Sequence, residues 1–123
     1  MLITIDHNDR RPIYEQVAAG IKSLIAGGAL REGAELPPVR QIAADLGVNL
    51  NTVATAYREL ASLGLIQIRH GQRAVVASKR SLDNNKGDLR KRLRTSLTEL
   101  SLAGLSRPEI LNWVSDELAG LLK

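Results

Sequence analysis

Cysteine is absent from this chain of 123 residues, so no disulfide staples it and no thiolate serves as nucleophile or metal ligand. Aromatic side chains are scarce: no Phe, one Trp and two Tyr. The core must be assembled from Leu, Ile, Val and Ala, which favours closely packed helices. The two histidines, His7 and His70, lie far apart in different local settings and form no cluster for a metal or for acid-base chemistry. No apolar run approaches the roughly 20 residues that cross a bilayer. The opening MLITIDHNDRR has neither the apolar core nor the cleavage site of a signal peptide. These absences argue against an enzyme, a metal centre, a cofactor and a membrane span. They fit a soluble, cytoplasmic chain with one compact domain, or a small domain plus an extension.

What the chain does have is unevenly placed charge within a net +4. Residues 1–78 hold eight Lys/Arg against seven Asp/Glu, residues 79–95 seven against two, and residues 96–123 two against four. A basic belt thus separates two nearly neutral pieces. It suits a polyanionic partner, and it also suits a plain solvated linker.

The stretch Leu46 to Gly64 organises the rest. Asn49 is an N-cap candidate, and Val53, Ala56, Tyr57, Leu60 and Leu63 form one apolar stripe on a helix of about four turns. Val48 and Val53 are spaced for a hydrophobic staple. The opposite face carries Asn51, Thr55, Arg58 and Ser62, short polar groups that fit a narrow space. Upstream, PVRQIAADLG reads as a shorter helix ending at Gly47, with Val39, Ile42, Ala43 and Leu46 inward, Arg40 outward and Pro38 as an early helical position. The pair has helix-turn-helix spacing.

Before this pair, Leu2 to Asp6 alternates as a short strand would. Asn8, Asp9 and Pro12 are helix-start chemistry for a first helix with Tyr14, Val17, Ala18, Ile21, Leu24 and Ile25 inward, closed at Gly27-Gly28. After it, Leu65–Arg69 and Ala74–Ala77 read as two strands around a basic tip containing Arg69, His70, Gly71 and Arg73, with Gly71 able to supply a positive φ. Three helices followed by a hairpin is the order of a winged helix-turn-helix. The fold class expected is mainly α with a small β-hairpin.

Residues 79–87 read as a basic linker, and Asp88 as the cap of a helix with Leu89, Leu93, Leu97 and Leu100 in a narrow seam. Ser106-x-x-Glu109 is a capping box that opens a last helix carrying Ile110, Leu111, Val114, Leu118 and Leu121, with Trp113 beside them. Two such helices expose more apolar surface than they can hide against each other. The same surface of a second copy would satisfy both, and packing back on the chain's own winged domain is the other reading; residues 88–123 are thus a candidate dimerisation hairpin and 1–78 a candidate DNA-binding domain.

The pieces PIYEQVAAGIKSLIAGGAL, LPPVRQIAADLGVNLNTV, YRELASLGLI and RHGQ, in this order over roughly Pro12 to Ala77, resemble the GntR family of transcriptional regulators. The leucine seam followed by AGLSRPEILNWVSDEL is similar to the short YtrA-type branch. That resemblance implies a homodimeric repressor on a palindromic double-stranded operator, often of an ABC-type transporter operon. Together with the polar face and the basic tip, it implies DNA contacts from Arg40, Asn49, Leu50, Asn51, Thr52, Thr55, Arg58, Arg69, His70, Gly71 and Arg73. Leu50 and Ala54 stand where many relatives have Arg, and Arg73 replaces a second wing glycine. Readout is therefore expected through amides, hydroxyls and apolar contact with thymine methyls. A different reading is a winged-helix docking adaptor that binds no DNA. The 36 residues after the linker are too few to enclose an effector pocket without a partner subunit, and no effector is identified.

Overall fold

A computed structural model describes residues 3–69, 71, 73–77 and 86–122. The chain divides into two compact units, Met1–Ser81 and Leu82–Lys123. The first contains α1 (Ile13–Ala26), α2 (Val39–Leu46) and α3 (Leu50–Ser62), followed by the antiparallel strands β1 (Ile66–Gln67) and β2 (Val75–Val76). The second contains α4 (Lys86–Leu102) and α5 (Arg107–Leu121). The architecture is a winged helix-turn-helix followed by a helical hairpin.

The core of the first unit is where the apolar periodicity puts it. Val17, Ala18, Ile21 and Ile25 of α1 meet Ile42 and Ala43 of α2 and Val53, Ala56, Tyr57 and Leu60 of α3. Each fully buried aliphatic side chain contributes roughly 1.5–3 kcal/mol, so α3 is held mainly by this face. Leu63, expected in the same stripe, is the C-cap of α3 and stays 43% exposed, because the helix ends before another turn can close over it. α1 and α2 each begin directly after a proline, Pro12 and Pro38, which stand as N-caps without side-chain cap bonds. Pro38 thus precedes α2 and is not one of its helical positions.

The wing is short but triply tied. Ile66 pairs with Val76 and Gln67 with Val75, and the chain before α2 joins the other edge of β2 through a Glu35–Val75 bridge. Leu36 N–H donates to the Ala74 carbonyl at 2.8 Å and Val76 N–H to the Ala34 carbonyl at 2.9 Å. The two strands are shorter than the expected Leu65–Arg69 and Ala74–Ala77, because pairing stops at Gln67.

The expected strand near the amino terminus does not form over the described residues 3–6. Ile3 and Ile5 pack against the core while Thr4 and Asp6 face solvent, so the alternation is real but the pairing partner is a side chain. The Gln16 amide, 6% exposed, accepts from Asp6 N–H at 2.8 Å and donates to the carbonyls of Asp6 at 3.0 Å and Arg11 at 3.2 Å. One carboxamide thereby replaces a neighbouring strand. Gly20 lets this segment approach α1, since a Cβ there would lie 2.9 Å from Ile3.

In the second unit, α4 starts at Lys86, so Asp88 lies inside its first turn and is not its cap, and Lys86-Gly87 are helical where a linker was expected. A carboxylate in that turn still complements the positive end of the helix dipole. The residues 78–85, like Leu2, lie outside the described residues. Ser106 caps α5 in a full capping box with Glu109, as its spacing predicts.

Gln16→Leu should lower stability by about 1–3 kcal/mol, because it removes the side-chain partner of one backbone donor and two acceptors in part-buried surroundings. Urea denaturation with amide exchange at Asp6 checks this; an unchanged midpoint and unchanged exchange would contradict it.

Candidate nucleic-acid interface

Three residues separate α2 from α3, and Gly47 makes the turn with φ of 67°, a left-handed conformation that costs a residue with a Cβ about 1–2 kcal/mol. Val48 then tucks against the core, and Asn49 caps α3 by accepting Asn51 N–H on its side-chain oxygen at 2.8 Å. The start of α3 is thus fixed from both sides while its outer face stays open. Asn49, Leu50, Asn51 and Arg58 are exposed; Thr52, Ala54 and Thr55 are half-buried.

The polar groups of that face are not equally available. Thr55 donates its hydroxyl to the Asn51 carbonyl at 2.8 Å and accepts from the Arg58 guanidinium at 3.1 Å. Asn51, Thr55 and Arg58 therefore form one row along the helix. Arg40 is exposed on α2, and Arg69 is exposed at the end of the wing. Gly71 turns the wing tip with φ of 74° in open space, as its position predicts. His70 lies outside the described residues.

Between α3 and the wing runs an open groove of about 520 Å³ lined by Pro37, Pro38, Val39, Ala54, Tyr57, Arg58, Ile68, Gly71, Arg73 and Ala74. Its walls are mostly apolar with Arg58 on one side and Arg73 on the other, a surface suited to a sugar-phosphate backbone. Arg73 lies 3.6 Å from Glu35 with both side chains more than half exposed, so the ion pair is weak and the arginine is easily redirected. Beneath the groove the Tyr57 hydroxyl donates to the Pro37 carbonyl at 2.6 Å, and burial pushes its pKa up to about 12. That bond ties α3 to the residue pair that opens α2.

Several of these residues carry no local signal. Glu35 and Pro37 join the site only through pairings across the fold. Ile68 continues the alternation of Ile66, which predicts burial, yet it is 50% exposed because the strand ends one residue earlier.

In the second unit, neither helix has a buried residue among those described. Leu89, Leu93, Leu111, Trp113 and Leu118 are each between 47% and 55% exposed, whereas Leu97, Leu100, Ile110, Val114 and Leu121 are half-buried. A groove of about 460 Å³ between α4 and α5 is walled by Leu93, Leu97, Leu105, Ile110, Leu111 and Val114.

Residues 13–76 match the model of the bacterial regulatory proteins of the gntR family. The chain belongs to the GntR family. It is 30% identical over 118 residues to the HTH-type transcriptional repressor YtrA of Bacillus subtilis, covering 94% of this chain and 91% of that protein. A crystal structure described as a transcriptional antiterminator from Listeria monocytogenes EGD-e superposes with a TM-score of 0.79 at 30% identity, over 97% of this chain and 90% of that one. AraR(DBD) in complex with operator ORE1 superposes with a TM-score of 0.54 at 26% identity, over 63% of this chain and 94% of that one. This GntR-family chain is accordingly a transcription regulator with a winged DNA-binding domain, and the family and YtrA are regulators, not enzymes. No described helix is long and apolar enough to cross a membrane.

Tyr57→Phe should cost about 1–3 kcal/mol by leaving the Pro37 carbonyl unpartnered. The folded-state pKa lies above the value near 10 of the unfolded chain, so the unfolded state loses the proton first. Stability from this group is full below pH 10 and is lost as pH rises toward 12. Denaturation midpoints from pH 8 to 12 check it: the fall should be shallower in the variant, and parallel curves would contradict the assignment.

Proposed function

We propose that this GntR-family regulator is a homodimeric repressor that binds a palindromic operator, with α3 in the major groove and the wing along the flanking backbone. The observation that carries the reading is the start of α3: a helix end fixed by Gly47, Asn49 and a buried face, presenting exposed Leu50 and Asn51 to solvent beside a groove flanked by Arg58 and Arg73. In this reading Arg40, Arg58, Arg69, His70 and Arg73 hold phosphates, Gly71 lets the wing backbone approach closely, and Asn49, Leu50, Asn51, Thr52 and Thr55 face base edges. Phosphate contacts set register and affinity, and base contacts set sequence. AraR(DBD), which shares the fold and is crystallised in complex with an operator, supports operator binding by a domain of this kind.

The second unit supplies the symmetry. Helices with no buried side chain of their own gain a core when the seam of Leu89, Leu93, Leu97 and Leu100 and the α5 face of Ile110, Leu111, Trp113, Val114, Leu118 and Leu121 meet a second copy. Joining two readers raises the effective concentration of the second on its half-site. Resemblance to the YtrA-type branch makes a transporter operon the first place to seek the operator.

Fluorescence anisotropy on duplexes from upstream of the gene tests the reading. Asn51→Ala should cost about 1–3 kcal/mol on the cognate duplex and much less on random DNA; an equal loss on both would remove base reading by that residue. Arg58→Ala should flatten the log-log salt dependence by about one unit, and an unchanged slope would remove its phosphate role. Sedimentation velocity at micromolar concentration should give a mass of two subunits, and of one subunit for Leu97→Glu; a monomeric native chain would contradict the dimer.

A further inference from the structure

The base-reading capacity of α3 is narrower than its sequence. The side-chain oxygen of Asn49 is engaged by the cap, and the Thr55 hydroxyl is engaged by the Asn51 carbonyl and by Arg58. The side-chain amide of Asn51 is exposed and has no partner among the described residues. Beside it Leu50 is 41% exposed at the first helical position, and Ala54 lies one turn further along the same row. The start of α3 therefore offers one free carboxamide, the half-buried Thr52 hydroxyl and one apolar strip, and no cation. Arg58 sits two turns along, tethered to Thr55, and Arg40 belongs to α2.

A carboxamide matches the paired donor and acceptor of adenine N6 and N7, an exposed aliphatic side chain matches the C5 methyl of thymine, and guanine is best matched by Arg or Lys. We propose that α3 reads an A·T-rich step, Asn51 taking adenine and Leu50, with Ala54 behind it, covering an adjacent thymine methyl. This rests on the operator-binding reading and deepens it by naming the base pairs read. Leu50 is the discriminating residue: with an arginine there the same helix would prefer guanine.

The test starts from duplexes with a randomised centre selected on the full chain. Within the selected duplex, each thymine in turn is replaced by deoxyuridine, which keeps pairing and removes only the methyl. One or two thymines per half-site should then show a loss of about fourfold, the worth of one buried methyl group, and Leu50→Ala should show no such loss. Replacing the neighbouring adenine by 7-deazaadenine should weaken the native chain on the order of tenfold, and Asn51→Ala hardly at all. Equal binding of thymine and uracil duplexes, or G·C pairs selected at the centre of each half-site, overturns the A·T reading while operator binding stands. A selected pool that binds no better than the starting pool overturns operator binding itself, and the proposal with it. The base-analogue measurements use the unaltered protein, so the stability of the variants does not decide the outcome.

Discussion

Everything functional in the first unit depends on the burial of one face of α3. Val53, Ala56, Tyr57 and Leu60 are between 0% and 4% exposed, and this single stripe fixes the rotation of the helix about its axis. A rotation of one residue, about 100°, would turn Thr52, Thr55 and Glu59 toward the core and carry Leu60 out of it. The apolar core thus decides which side chains can meet a partner, and the cap at Asn49 decides where the helix begins.

Around that helix the structure uses polar groups as ties. Tyr57 connects α3 to Pro37, the backbone of residues 33–36 pairs with β2, and Gln16 holds the amino-terminal segment to α1. Each tie joins two elements already close in the core, so it adds orientation where burial adds most of the free energy. The surface that results is chemically sparse. A helix start with one free carboxamide, an open apolar groove and dispersed arginines suits recognition of a long, regular polyanion better than capture of a small molecule.

The sequence was most legible where the signal is local. Asn49 as N-cap, Gly47 and Gly71 as turn residues, and the Ser106-Glu109 capping box each depend on neighbours within three positions, and each is found as expected. Helical stripes were legible because period 3.6 accumulates over a dozen residues. Contacts between residues distant in sequence were not: Gln16 to Asp6 spans 10 positions, Tyr57 to Pro37 spans 20, and Glu35 meets Arg73 only through the wing. The missing strand at residues 3–6 has the same cause, since alternation fixes which side chains turn inward but not what pairs with the backbone. The start of α4 at Lys86 shows the converse limit: a polar stretch without proline extends a helix when nothing stops it.

The two units differ in kind: the first holds α3 with an open polar face, and the helices of the second have no buried side chain of their own. In the proposed two-fold arrangement these roles are joined, and a matched pair of α3 helices would address two half-sites of one duplex. Hydroxyl-radical footprinting of the full chain on the DNA upstream of its gene tests this most directly. Two protected stretches related by a dyad and centred about ten base pairs apart, or a whole multiple of that turn, are predicted. One isolated stretch, or uniform protection along the duplex, would contradict the account.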